Sequence, residues 1–400
     1  MNTACQNFRS SSFLRLHICT VMHFYDRRAL DVSGGMYQCF LSDGTVTDTR
    51  TRNLANAARY VVTYSMLYRL TRESAYKKGA EHAVNFLRTA FLDPKSGGYA
   101  WVVDWDHGRA SPQDATRHAY GMAFVMLAYA HATMCGIDNA AGWLSDVFQT
   151  AERFLWEPQA GLYADEATPS WTLSSYRGQN ANMHACEAMI AAFHATRDFA
   201  YLHRAETLAQ SVTRRLAAST NGLIWEHYRA DWSVDWDYNR HDSSNKYRPW
   251  GYQPGHFTEW AKLLLLLDRH HPSPWHLSRA AELFDAAMSM AWDPINEGIF
   301  YALAPDGSVC DADKYHWVQC ESFAAAALLG QRTGDGKYWE WYDRIWAYCW
   351  ARFIDHQHGA WFSILNGANQ HHVPDKRRVS AAGYHNIGAC HDVLVTMGEI

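Results

Sequence analysis

Apolar residues return at spacings of three and four through residues 55–70, 120–134, 182–196, 258–269 and 322–332, where Ala, Leu and Met are frequent. That period predicts helices with a buried face. Between these stretches a second pattern recurs: an acidic or polar cluster, a Gly, then an apolar pair that usually includes an aromatic ring. It reads LDVSGGMY at 30–37, LDPKSGGYAW at 92–101, WEPQAGLYAD at 156–165, ASTNGLIWEHY at 218–228, WDPINEGIFYAL at 292–303 and IDHQHGAWFSI at 354–364. The polar part predicts a tight turn and the aromatic part a short extended piece.

The glycines of these marks are Gly35, Gly98, Gly161, Gly222, Gly298 and Gly359, at intervals of 63, 63, 61, 76 and 61 residues. Each interval has room for two helices, so the chain reads as six helical hairpins in series. Such hairpins stack into an open superhelix or close into a ring with one helix of each pair inside. Polar groups recurring in phase favour closure. The expected fold is all-α, a single (α/α)6 barrel over residues 1–400 with short β-hairpin-like turns at one end and residues 1–12 disordered. A prior of about 150 residues per domain would suggest two or three domains; the repeat overrules it.

Ionisable and amide side chains collect where each inner helix should begin. The offsets from the Gly to Arg52, His118, His184, His256, Trp317 and His385 are 17, 20, 23, 34, 19 and 26. Equal phase in a barrel means the same end of it, so these groups should surround one concave, aromatic-walled mouth. The offset of 34 and the interval of 76 fall in one unit, whose extra chain at 230–252 contains DWSVDWDYNRHD. That loop is a candidate wall or lid for a polar ligand.

Composition narrows the ligand. With 36 Lys+Arg against 41 Asp+Glu the net charge is −5, which excludes a strongly basic nucleic-acid footprint. Hydrophobic residues at 48% and charged residues at 19% describe a globular chain. No Gly-rich phosphate cradle occurs. The 18 Trp, 22 Tyr, 17 Phe and 22 His suit a neutral sugar, whose hydroxyls take directional hydrogen bonds and whose C–H faces lie on rings. Residues 13–21 are interrupted by Arg15 and His17, and the leucine run 263–267 is too short to span a bilayer, so neither signal peptide nor membrane span is expected. Nine cysteines without a C-x-x-C pair point to a reduced, cytoplasmic protein. No exposed apolar stripe singles out a face for oligomerisation.

His256 follows Pro254-Gly255, a helix-entry signal, and the positive end of the helix dipole there favours a neutral base. Glu259 shares its face, and the pair could orient the imidazole or hold a sugar hydroxyl. No H-E-x-x-H or third-ligand spacing accompanies the pair, so no metal is expected. His385 after Gly383-Tyr384 and His184 after Asn180 occupy matching places. Each alone reads as a core histidine; three at one phase read as acid–base groups. Glu259, Glu321, Asp235 and Asp237 keep open an inverting glycosidase, which needs two carboxyls about 6.5–9.5 Å apart, although that reading leaves the imidazoles unexplained. A non-catalytic sugar-binding protein is a further alternative.

The segments RTRN at 50–53, RGQNANMHACEA at 177–188, WEHYRADWSVDWDYNR at 225–240, RPWGYQPGHFTEWAKLL at 248–264, DGSVCDADKYHWVQCES at 306–322 and YHNIGAC at 384–390 closely resemble the N-acylglucosamine 2-epimerase superfamily. The resemblance runs from about Phe13 to the C-terminus. It implies an (α/α)6 barrel and a metal-independent, cofactor-free aldose–ketose isomerase acting on D-mannose and D-fructose, and on D-lyxose and D-xylulose; a sugar 2-epimerase is the alternative within the family. It also implies His256 and His385 as acid–base catalysts, with Arg52, Tyr120, Asn180, His184, Arg240, Glu259, Trp317, Gln319 and Glu321 as substrate-binding residues. Asn53 and the RHAYG run at 117–121 depart from the family's usual His and NHCYG, leaving the catalytic pair intact.

Overall fold

A computed structural model describes residues 6–242, 245, 248–372, 379 and 382–400. Its helices are α1 Ser11–Asp26, α2 Leu54–Thr71, α3 Ser74–Phe86, α4 Ala119–Met134, α5 Ala140–Phe154, α6 Gln179–Thr196, α7 Phe199–Gln210, α8 Pro254–His270, α9 Pro274–Ala291, α10 His316–Thr333, α11 Gly336–Arg352 and α12 Tyr384–Thr396. The even-numbered helices contact one another in order, and α12 returns to α2, so the ring closes. Each odd-numbered helix packs outside. One hairpin is split between the ends of the chain, because α1 packs on α12. Inner helices are buried on nearly every face: α4 buries residues from Ala119 to Ala132 with few gaps, as a helix apolar all round should. Outer helices such as α5 bury one stripe, Ala140, Leu144, Val147 and Ala151.

The recurrent marks are the turns that follow the outer helices. They close as short antiparallel bridges, Leu30 with Met36, Leu92 with Tyr99, Trp292 with Ile299 and Ile354 with Trp361. Gly298 shows why Gly is needed: its φ is +78°, and a Cβ there would run into the Tyr348 ring. In the second mark the left-handed residue is Gly97 (φ +71°), not Gly98. The sheet content exceeds simple turns, since Thr51–Asn53, Val102–Asp106 and Arg109–Asp114 form one three-stranded sheet.

The acidic residue of four turns is pinned by a cation placed two residues before the next inner helix. Arg52 reaches Asp31 at 2.7 Å, Arg117 reaches Asp93 at 2.8 Å, Arg177 reaches Glu157 at 2.8 Å and Lys314 reaches Asp293 at 2.8 Å. The pins register each turn against the helix that begins beside it.

The expectation of disorder over residues 1–12 is corrected for the described part. Phe8 stacks on Trp346, with centroids 5.5 Å apart, and its carbonyl accepts from the Tyr342 hydroxyl at 2.7 Å. Residues 1–5 lie outside the described residues.

Three buried histidines make the fold acid-sensitive. Burial, aided by His356, lowers His17 to about 3, and its Nε2 accepts from the Trp361 indole at 3.0 Å. Burial also lowers His131 to about 3 and His316 to about 4. The unfolded chain protonates these rings near pH 6.5, the folded chain only near 3 to 4. Stability is therefore complete above 6.5 and is lost as pH falls toward 4, at about 1.4 kcal/mol per pH unit for each ring. Thermal unfolding followed from pH 7.5 down to 4.5 is expected to show a falling midpoint; a flat midpoint contradicts it.

Candidate active site

At the end of the barrel where the inner helices begin lies a cavity of about 640 Å³. On each inner helix the second residue, the sixth, or both, one helical turn apart, face it. These positions hold Arg59 on α2, Tyr120 on α4, Asn180 and His184 on α6, Glu259 on α8, Trp317 on α10 and His385 on α12, and His256 joins them as the third residue of α8. Seven sequence-predicted residues are thus brought together: Tyr120, Asn180, His184, His256, Glu259, Trp317 and His385.

Four are not in the lining. Arg52 is wholly buried in its ion pair with Asp31, as one of the turn pins. Gln319 is the fourth residue of α10 and faces away, clamping the backbone of Ile299 through both its amide groups at 3.1 Å. Asn182 grips Tyr163 in the same way. Arg240 lies on the outer part of the 230–252 loop and pairs with Asp237 at 3.1 Å; Asn245, Arg248 and Pro249 at the far end of that loop form cavity wall. Glu321 lies behind the lining and touches it through His385.

Three imidazoles share one arrangement. Nδ1 of His184 meets Glu187 at 2.9 Å, Nδ1 of His256 meets Glu226 at 2.9 Å, and Nδ1 of His385 meets Glu321 at 2.8 Å. A carboxylate at Nδ1 takes the N–H and leaves the Nε2 lone pair for a ligand. Glu226, not Glu259, orients His256, correcting the expectation from helix spacing. Gln179 fixes that carboxylate: its oxygen accepts from the Trp260 indole at 2.7 Å, so its amide N–H donates to Glu226 at 2.9 Å. The Trp317 ring lies between the two candidate bases, with centroids 5.1 Å from His256 and 5.9 Å from His385.

Electrostatics separates the groups into roles. Burial, then Arg59, His316, His184 and Lys262, holds His385 well below the ordinary imidazole range, so it is a neutral base at physiological pH. Burial likewise lowers His184. Burial and the Glu321 charge push Glu259 well above the usual carboxylate range, which makes it a neutral carboxyl able to donate. Arg59 is held by the Tyr120 hydroxyl, to which it donates at 3.0 Å, and lies over the rings of Phe124 and Tyr384.

Of the four carboxylates considered for a hydrolase pair, only Glu259 lines the cavity. Asp235 and Asp237 are outside the lining, and Glu321 is taken up by His385 and Lys262. Two clusters among the described residues have metal-ligand chemistry, His118 with Asp165 and Glu166, and His184 with Glu187 and Glu259. In the first, Arg248 bonds Asp165 at 2.8 Å and Glu166 at 2.6 Å. In the second, Glu187 accepts from His184 and, at 2.7 Å, from the Tyr384 hydroxyl. Three of the four carboxylates thus have cationic or hydrogen-bonding partners already, while Oε1 of Glu259 is buried without a hydrogen-bond partner.

Sequence reasoning missed Arg59, Glu187 and Glu226, and gave no site role to Gln179 and His316 although both stand among the polar residues at helix entries. Arg59 was findable, since it is the sixth residue of its helix, as His184, Glu259 and Glu321 are of theirs.

A barrel of this topology with paired imidazole–carboxylate groups in its mouth defines a class, and the chain belongs to the N-acylglucosamine 2-epimerase family, whose model matches residues 35–389. Within reach of that class, the chain is 44% identical to D-mannose isomerase of Marinomonas mediterranea over 392 residues, 98% of each sequence. A crystal structure of D-mannose isomerase, also 44% identical, superposes with a TM-score of 0.94 over 98% of this chain and 100% of that one. Cellobiose 2-epimerase from Bacillus thermoamylovorans, 19% identical, shares the fold with a TM-score of 0.83 over 96% of this chain and 98% of its own. No described helix is long and apolar enough to cross a membrane.

Proposed function

We propose that this enzyme is an aldose–ketose isomerase interconverting D-mannose and D-fructose, and D-lyxose and D-xylulose, without a metal. The observation that carries this reading is the pair His256 and His385, each tied through Nδ1 to a buried carboxylate and separated by one indole ring. The near full-length likeness to D-mannose isomerase supports the choice of sugar.

The reaction opens the pyranose, removes the C2 proton of the aldose and delivers a proton to C1 through a cis-enediol. His385, neutral and facing Arg59, is assigned the C2/C1 proton. His256 is assigned ring opening, passing protons between the ring oxygen and the anomeric hydroxyl, and then the transfer of the O2 hydroxyl proton to O1 as the enediol forms and collapses. Arg59 stabilises the charge that develops on O1 and O2 of the enediolate, and Glu259 donates to a sugar oxygen. Trp317 offers its face between the two imidazoles. Asn180, whose Oδ1 is buried without a partner, has an acceptor for a substrate hydroxyl.

The test is incubation with D-mannose in D₂O containing EDTA, with the products identified by NMR. Fructose carrying deuterium at C1 is the expected result. Glucose as the main product would replace isomerisation by 2-epimerisation, loss of turnover in EDTA would reject metal independence, and cleavage of cellobiose would restore the hydrolase reading.

A further inference from the structure

Lys262 lies on α8 one turn beyond Glu259, is 4% exposed and does not line the cavity. A lone ammonium in such a place is costly unless its charge is used. Its Nζ is 2.5 Å from Oε2 of Glu321, and Asp392 of α12 lies further off at 3.7 Å. Both the charge of the ammonium and its hydrogen bond to Glu321 favour the ionised carboxylate. The other oxygen of Glu321, Oε1, holds Nδ1 of His385 at 2.8 Å.

We propose that Lys262 is a positioning residue whose ammonium keeps Glu321 ionised, so that Glu321 accepts the Nδ1 proton of His385 and leaves Nε2 of that ring as the base. The inference rests on the isomerase reading for its activity assay. Its physical reason is a choice between tautomers. Glu321 on α10 and Glu259 on α8 are both buried near one another, and burial favours the protonated form of each. A protonated Glu321 would donate its O–H to Nδ1 and move the imidazole proton to Nε2, which could then take nothing from C2. Lys262 decides which carboxyl stays neutral: Glu259, which faces the sugar, and not Glu321. Burial opposes the ammonium, and the surrounding carboxylates, Glu321 first, more than offset it. Other charged or titratable groups around the pair are His184 and Glu187 on α6, Arg59 on α2, His131 on α4, His316 and Cys320 on α10, and Tyr384, His385 and His391 on α12. None of these makes an ion pair with Glu321 except His385 itself.

The test compares Lys262→Met, Lys262→Arg and Glu321→Gln by kcat and KM for D-mannose against pH, and by ¹⁵N chemical shifts of the His385 ring, assigned with His385→Asn. In Lys262→Met, kcat at neutral pH is expected to fall by about 10²-fold or more, the scale on which a wrong tautomer acts, with KM within about twofold. Its acid limb should move upward by about one pH unit or more, because Glu321 now has to lose a proton first. Lys262→Arg should keep the wild-type limb. Adding Lys262→Met to Glu321→Gln should cause little further loss, since the group it controls is gone. The nitrogen shifts should report Nδ1–H in the wild type and Nε2–H in Lys262→Met. A Lys262→Met enzyme with the wild-type limb and tautomer overturns the proposal, whatever its melting temperature. If that variant does not fold, the wild-type shifts decide alone, and Nε2–H there overturns it. Absence of mannose turnover in the wild type would sink the isomerase reading, while the shifts, which need no turnover, would still judge the role of Lys262.

Discussion

His385→Ala is expected to lower kcat for mannose–fructose interconversion by about 10²- to 10⁴-fold, the usual contribution of a positioned general base. KM should change little, because the wall made by Trp317, Tyr120 and Asn180 remains. The same variant should stop exchange of the C2 proton of mannose with solvent, followed by loss of the C2–H signal in D₂O. His256→Ala should be milder, since mutarotation in water supplies some open-chain sugar and spares the ring-opening step. The pH dependence follows from the depressed pKa of His385: the wild-type base stays neutral below the ordinary imidazole range, so kcat per folded molecule should hold at pH values where a free imidazole is already charged. A His385→Ala enzyme that retains wild-type kcat removes that residue from the scheme.

The second large effect separates two arginines seven residues apart. Arg59→Ala should cost about 10²- to 10³-fold in kcat, the range for removing one donor aimed at a developing oxyanion, with a native unfolding curve. Arg52→Ala should do the opposite. It leaves Asp31 buried without its partner, and breaking a buried pair in this way destabilises by about 3–5 kcal/mol, while the molecules that do fold should keep near wild-type kcat. Urea midpoints and kcat of the folded fraction, measured on both variants, give the contrast. If Arg52→Ala instead folds normally and is inactive, Arg52 belongs in the site and the assignment of Arg59 fails.

Much of this molecule is legible along the chain. The six Gly-centred turns, the helical segments between them and the clustering of polar residues at helix entries follow from spacing, because a left-handed turn residue and a buried helix face are local demands. His256, His385, His184, Asn180 and Trp317 sit at such entries and line the cavity. Closure of the ring was only favoured by phase; α12 meeting α2, with α1 completing the last hairpin, is a contact across the whole length of the chain.

What the tertiary structure decided was direction. Arg52 and Arg59 are both cations at the start of one helix, yet one lies before the helix and turns into a turn's carboxylate, while the other comes one helical turn in and faces the axis. Gln319 and Glu321 are two residues apart and point to different partners, the Ile299 backbone and His385. The orienting carboxylates also come from outside each histidine's local motif in two of three cases: Glu226 reaches His256 across 30 residues and Glu321 reaches His385 across 64. A sequence determines which groups are available and roughly at which end of the barrel they fall. Which nitrogen of an imidazole is left free depends on carboxylates and a buried ammonium brought together by folding, and no local pattern carries that information.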